Sequence, residues 1–240
     1  MGNVAAIIVA AGTGSRMGTQ PVPKQFLEIA GVPILGHTLQ KFEHSPAITQ
    51  ILLVTRPEDR VACERLIKAS GAQKITALVE GGKERQDSVF NGLLHLNPET
   101  EIVLIHDAVR MFVTKEIITA SIRDARKYGA SVTAVPVKDT IKHVAPRTSE
   151  MDAGFVVKTL NRTELWQVQT PQTFQYDLIC AIHQKARQLG FYGTDDAMLA
   201  EHFGHPVKIV YGSYRNIKIT TPDDLLIAKA FLRDEVGRKS

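Results

Sequence analysis

Three stretches of the chain carry residue types whose spacing could do chemistry. The first, AAGTGSRMGTQPVPKQ (Ala10–Gln25), places glycines at 12 and 14 ahead of Arg16, with Lys24 eight residues further on. Glycine lets the backbone turn tightly, so that several N–H groups can point at one phosphate. A flexible loop bearing an Arg and a Lys can close over a triphosphate, and its two cations would offset charge that builds up at a phosphorus under attack. The loop is not a dinucleotide fingerprint, which needs glycine where Met17 stands, and it lacks the Gly-Lys-Ser/Thr ending of a Walker loop. The second stretch, GGKERQDSV (Gly81–Val89), follows a strand pattern and opens a helix. It is a second candidate stretch for the site, or a plain strand-to-helix turn with Asp87 and Ser88 as first-turn polar groups. The third, HDAVR (His106–Arg110), ends another strand pattern. Asp107 is a natural ligand for Mg²⁺ bridging nucleotide phosphates, because a hard cation takes a carboxylate and few other protein ligands. An Asp capping the next helix is the competing role.

These stretches fall at the ends of a regular alternation. Near-continuous apolar runs at Val4–Ala11, Gln50–Thr55, Ile75–Glu80, Glu101–His106 and Ala130–Val137 read as strands covered on both faces. Between them, Ile34–His44, Pro57–Ala69, Arg85–Leu96 and Lys115–Tyr128 carry helical periodicity. Such repetition predicts an α/β fold built on one doubly wound, mostly parallel sheet. Ligands then bind where loops leave the carboxyl ends of the strands, which is where the three stretches lie.

The alternation breaks at 138–163, KDTIKHVAPRTSEMDAGFVVKTLNRT, where Thr140–Val144 and Phe155–Leu160 flank a polar Pro/Gly loop in a hairpin pattern. A hairpin with so little core of its own is expected to pack on a second subunit, as a homodimerisation arm on an otherwise single domain spanning 1–240. WQVQTPQTF follows, then helices at Tyr176–Leu189 and after Thr194 and strands at Val207–Gly212 and Asn216–Thr220. A last helix opens with Thr221 as N-cap, Pro222 and Asp224.

Composition narrows the class. The 240 residues are 44% hydrophobic and 22% charged, with a net charge of +4. Lys and Arg are scattered, which suits a site for small anions and predicts no nucleic-acid partner. Cys63 and Cys180 lack metal-ligand spacing and are expected to be buried, reduced thiols of a cytoplasmic protein. The N-terminal apolar run is too short to span a bilayer, and Ala6 stands where a myristoylation signal wants Ser or Thr, so no membrane partner is expected.

Taken in order, AAGTGSRMG…PKQF, GGKERQDSV, HDAVR, VPVKDTIK, WQVQTPQTF, GTDDA and GSYRNIKITTPDDL resemble the 2-C-methyl-D-erythritol 4-phosphate cytidylyltransferase family, over Ala10 to Leu225. The resemblance implies a Rossmann-like nucleotidyltransferase that joins CTP to methylerythritol phosphate, releasing pyrophosphate with Mg²⁺ as cofactor. It implies Ala10, Ala11, Gly12, Gly14, Asp107 and Ala108 around the nucleotide, with Gly82 and Ser88 reading the cytosine. Arg16, Lys24 and Lys218 would stabilise the transition state and Asp107 would hold the metal. Thr140 and Arg162 would reach the acceptor phosphate across a dimer interface, Arg162 giving a bidentate grip, and Thr194 and Lys218 would complete the acceptor pocket.

The chain departs from the family's usual HDAARP or HDGARP at Val109 and Met111, and loss of the proline's fixed φ predicts a looser or redirected loop after Asp107. HDAVR also occurs in the related ribitol-5-phosphate cytidylyltransferases, whereas the KDT and NR residues of the arm, LWQVQTPQ and GTDDA point to methylerythritol phosphate. A dinucleotide-dependent oxidoreductase is disfavoured by Met17 and by Thr55-Arg56, where that fold ends its second strand with an acid. A non-catalytic binding module is disfavoured by the retention of Arg16, Lys24, Asp107 and Lys218.

Overall fold

The computed structural model describes residues 2–12, 22–145 and 154–237. Gly14, Arg16 and the arm's tip at 146–153 lie outside them. The elements run β1 (Asn3–Val9), β2 (Glu28–Ile29), β3 (Val32–Pro33), α1 (Ile34–Glu43), β4 (Gln50–Thr55), α2 (Arg60–Ser70), β5 (Ile75–Glu80), α3 (Arg85–Leu94) and β6 (Thr100–Asp107). They continue with α4 (Lys115–Tyr128), β7 (Ala130–Pro136), β8 (Lys142–Val144), β9 (Val156–Thr159), β10 (Trp166–Gln175), α5 (Tyr176–Gln188), α6 (Asp196–His202), β11 (Lys208–Tyr211) and α7 (Pro222–Gly237).

Seven strands form one sheet in the order β11-β7-β10-β6-β1-β4-β5. All neighbours are parallel except β10, which runs against both β6 and β7. The apolar run of β1 follows from its central place. Val4, Ala6 and Ile8 point to one face, against Leu39 and Phe42 of α1, Cys63 of α2 and Ile118 and Ile122 of α4. Ala5 and Ile7 point to the other, into a cluster with Val89 and Leu93 of α3, Ile179 and Ile182 of α5 and Leu199 of α6. Each such fully buried Ile or Leu contributes roughly 1.5–3 kcal/mol, which is why the buried stretch Val4–Ile8 is wholly apolar.

WQVQTPQTF, to which the sequence assigns no element, is a full strand despite Pro171. One strand reading changes: Asn216–Thr220 is an irregular segment rather than a strand. That segment is fixed instead by single bonds. Asn216 Nδ2 donates to the Gln169 side chain at 3.2 Å and to the Thr170 carbonyl at 2.9 Å, and Ile219 N donates to Val109 O at 3.0 Å. Cys63 is buried as expected, but Cys180 is only half-buried. The expected start of the last helix holds: Asp224 N donates to Thr221 Oγ1 at 3.3 Å, while Thr221 N donates to the Asp224 carboxylate at 2.8 Å.

β8 and β9 pair antiparallel as the expected hairpin. It stands clear of the sheet, with Phe155 84% exposed and Val156 60% exposed.

Candidate active site

Strand order reverses at β1, where β4 and β5 lie to one side and β6 to the other. At the carboxyl ends of these strands the parallel ladder runs one residue further, so the loops leave side by side. Ala10 N donates to Val54 O at 2.7 Å, Gly81 N to Thr55 O at 2.8 Å and Ala108 N to Val9 O at 3.1 Å. A cavity of about 260 Å³ opens there, lined by Ala10, Ala11, Gly12, Lys24, Gly82, Ser88, Asp107, Ala108 and Lys218, together with Gln25, Lys83 and Arg85. It occupies the crevice that a doubly wound sheet offers a ligand at its switch point.

Each wall has a local cause. Gln25, almost fully buried, donates to Ala10 O at 3.2 Å and to Asp59 at 3.1 Å, tying the PKQ segment with Lys24 back to the end of β1. α3 starts with a capping box between Glu84 and Asp87. Ser88 Oγ accepts from Gly82 N at 3.0 Å and donates to Glu84 O at 3.1 Å. A Cβ on Gly82 would lie 2.3 Å from the Asp87 Cβ, so the residue must be glycine for the loop to close on the helix. At Gly12 no described atom lies within 4 Å of an added Cβ and the φ is not left-handed. Its bare backbone faces the cavity, and the turn expected of the loop lies beyond it, outside the described residues.

Asp107 organises the charge. Its Oδ2 lies 3.0 Å from Lys218 Nζ and 3.3 Å from Arg110 Nε, and its Oδ1 lies 3.6 Å from Arg85 Nε. Burial alone would raise its pKa, but Arg85, Lys218 and Arg110 outweigh that and hold the carboxyl well below the usual range. A capping role for the next helix is not what it has; Thr114 caps α4, accepting from Ile117 N at 3.3 Å. Beside it, Thr170 Oγ1 accepts from Asp107 N at 3.1 Å and so offers its proton to His106 Nδ1 at 3.0 Å. His106 Nε2 donates to Arg110 O at 3.1 Å, and acceptance at Nδ1 from Thr170 needs a neutral ring; burial favours that form, lowering the pKa to about 4.

The loop after Asp107 is not loosened by Val109 and Met111. Both are buried, in a cluster with Ile29, Ile34, Phe112, Ile219 and Ala228. Arg110 also donates to Asn216 O at 2.9 Å. Packing against α7 and the 216–219 segment replaces the constraint that a proline would supply.

Of the residues singled out in the sequence, Ala10, Ala11, Gly12, Lys24, Gly82, Ser88, Asp107, Ala108 and Lys218 all line one cavity. Thr194 lines a neighbouring cavity with Lys83, Glu84 and Arg85. Thr140 and Arg162 lie apart from both, exposed at the base of the arm, where Arg162 Nη1 donates to Lys138 O at 3.0 Å. Sequence reasoning missed Arg85, Arg110 and Gln25. Arg85 and Arg110 stand inside motifs already quoted; Arg85 pairs with the distant Asp196, whereas Arg110 pairs with Asp107 three residues away, a spacing the sequence did show.

A nucleotide-sized crevice at a Rossmann-like switch point, with cations gathered on a buried carboxylate, defines a nucleotidyltransferase type of site. The chain belongs to the 2-C-methyl-D-erythritol 4-phosphate cytidylyltransferase family, whose model matches residues 4–234. It is 51% identical to the enzyme of that name from Desulforamulus reducens, over 97% of each chain. It is 49% identical to the one from Pelotomaculum thermopropionicum, over 99% of this chain and 98% of that one. Among solved structures, it superposes on a 4-diphosphocytidyl-2C-methyl-D-erythritol synthase from Anaerococcus prevotii with a TM-score of 0.83 and 36% identity, covering 97% of this chain and 96% of that one.

Proposed function

We propose that this protein transfers CMP from CTP to 2-C-methyl-D-erythritol 4-phosphate, releasing pyrophosphate, in isoprenoid precursor synthesis. The observation that carries the reading is the convergence of Lys24, Lys218, Arg85 and Arg110 on the Asp107 cavity at the switch point. In this reaction an oxygen of the acceptor's phosphate forms a bond to the α-phosphorus of CTP, while the bond to the β-phosphate bridging oxygen breaks and pyrophosphate leaves with the electron pair. The acceptor phosphate is already an anion, so no base is required. Catalysis is then positioning and charge stabilisation. Lys24 and Lys218, with Arg16 outside the described residues, are assigned to the charge that develops at the α-phosphorus. Ala10–Gly12 and Ala108 are assigned to the triphosphate and ribose. Gly82 and Ser88 are assigned to the cytosine: their own hydrogens are held by Ser88 Oγ and Glu84 O, so the rigid wall they form offers the base oxygen acceptors for its amino group.

Mg²⁺ fits this site as an ion brought in on the phosphates. Asp107 Oδ1 meets Arg85 at 3.6 Å, too long for a hydrogen bond, so that oxygen can still accept a hard cation. Among the described residues no cluster of acids, His and Cys would hold a metal without the nucleotide. When bound, the ion would neutralise phosphate charge, and Asp107 is the residue that would hold it.

The acceptor side is assigned to Thr194 and Lys218, and to Thr140 and Arg162 of the partner subunit in a homodimer. Support comes from the exposed apolar residues of the arm, Phe155, Val156 and Val157, on a single nucleotidyltransferase domain. No described helix is long and apolar enough to cross a membrane, and we place the enzyme in the cytoplasm. A pyrophosphate-release assay with Mg²⁺, crossing CTP, UTP and ATP with methylerythritol phosphate and ribitol phosphate, tests the reading; release with CTP and methylerythritol phosphate is expected, and turnover with ribitol phosphate alone would replace the substrate.

A further inference from the structure

Asp196 stands where four elements meet, yet it lines neither cavity and has no part in the chemistry above. It is fully buried at the start of α6. One carboxylate oxygen accepts from Arg85 Nη1 of α3 at 2.7 Å and the other from His183 Nε2 of α5 at 3.1 Å. Its backbone N–H donates to Gln172 Oε1 of β10 at 3.0 Å. Burying a carboxylate is costly unless its partners are fixed in place, and here each partner comes from a different element. The charge of Arg85 and the hydrogen bond from His183 hold Asp196 ionised against the effect of burial, and in return Asp196 and Asp107 raise the pKa of Arg85 against its own burial.

The other edge of the Arg85 guanidinium faces Asp107, which in turn holds Lys218. A chain of alternating charge therefore runs Asp196–Arg85–Asp107–Lys218, from the GTDDA loop into the nucleotide cavity. Arg85 also belongs, with Lys83 and Glu84, to the wall between that cavity and the neighbouring one of about 450 Å³ that contains Tyr192, Gly193 and Thr194. Gln86 strengthens the same seam, donating to Phe191 O at 3.0 Å and accepting from Gly193 N at 3.0 Å. Only a planar, forked cation can serve two carboxylates at once in this manner; a lysine cannot.

We propose that Asp196 is a positioning residue: it fixes Arg85 in the wall between the two cavities, and through Arg85 it places Asp107 and Lys218 and couples the nucleotide cavity to the Thr194 cavity. The inference rests on reading the main cavity as the nucleotide site.

The test uses the full-length protein and three variants, Asp196→Asn, Arg85→Gln and the double variant. CTP affinity is measured by calorimetry with Mg²⁺, and kcat and KM are measured for CTP and methylerythritol phosphate. Asp196→Asn keeps the shape and removes the charge. It is expected to cost about 10- to 100-fold in kcat/KM, as loss of an orienting partner does, with both KM values raised. Because Asp196 acts through Arg85, the double variant is expected to be no worse than Arg85→Gln within about threefold. An unchanged Asp196→Asn, or a double variant whose loss equals the product of the single losses, would overturn the proposal. Should Asp196→Asn fail to fold by circular dichroism, Arg85→Lys decides: both KM values rising supports the coupling, and a rise for CTP alone contradicts it. Absence of turnover in the wild type would refute the transferase reading, while the CTP affinities of the three variants would still judge the positioning claim.

Discussion

Lys24 and Lys218 reach one cavity from opposite ends of the chain, and neither is remarkable in its own stretch of sequence. If their charges act on the transition state more than on bound CTP, Lys24→Ala and Lys218→Ala should each lower kcat by about 10²–10³ with a smaller change in KM for CTP. A rise in KM alone, in the same pyrophosphate assay, would make them binding residues only. His106 gives a second expectation. Its pKa falls from 6.5 to about 4 on burial, so the unfolded chain binds more protons between those values and stability rises with pH there. The contribution is complete above about pH 6.5 and is lost as pH falls through about 4. The depressed Asp107 and Asp196 add a further loss at still lower pH, below the ordinary carboxylate range. Urea unfolding between pH 7 and 4 should show the slope, and His106→Gln should flatten it; an unchanged slope would contradict a buried neutral ring. At this scale the sequence singled out Asp107, Gly12 and Lys24, which line one cavity, because glycine, lysine and a strand-end acid are local signals. It hid Arg85, whose partner Asp196 lies 111 positions away.

At the scale of elements, the strands buried on both faces are plainly legible in the sequence, and so are the alternating strands of the arm. β1 and β6 announce themselves as apolar runs. β10 does not, because its Gln and Thr residues and Pro171 remove the alternation, although Thr173 and Phe174 are fully buried. Its stability comes from pairing with β6 and β7, which are distant in sequence. The loop after β6 shows the same limit. Val109 and Met111 read as the loss of a proline constraint, whereas contacts with Ile29, Phe112 and Ile219 supply another one. Met111, 1% exposed, should therefore lose about 2–5 kcal/mol of stability on replacement by Ala, by urea unfolding. A loss under about 1 kcal/mol would mean that the site repacks. At α3, Gly82→Ala should lower CTP affinity with little loss of global stability, since the clash with Asp87 is confined to the capped turn; unaltered affinity in calorimetry would remove that turn from the nucleotide site.

For the whole molecule, the proposed dimer turns on the arm. Thr140 and Arg162 stand away from their own cavity, which suits the proposal that they serve the acceptor of a neighbouring subunit. Phe155→Asp, at a position 84% exposed, should leave the fold intact, shift the protein to a monomer in sedimentation and suppress turnover. Arg162→Ala should raise KM for the acceptor while sparing CTP affinity; a fully active monomer, or wild-type behaviour of Arg162→Ala, would remove the arm from the reaction.

The central claim is that the Asp107 cavity transfers CMP to methylerythritol phosphate. The most direct measurement is pyrophosphate release by the wild-type protein with Mg²⁺, with CTP, UTP and ATP each offered methylerythritol phosphate and ribitol phosphate. Release with CTP and methylerythritol phosphate, well above every other pair, is the predicted result. No release with CTP and either acceptor would contradict it.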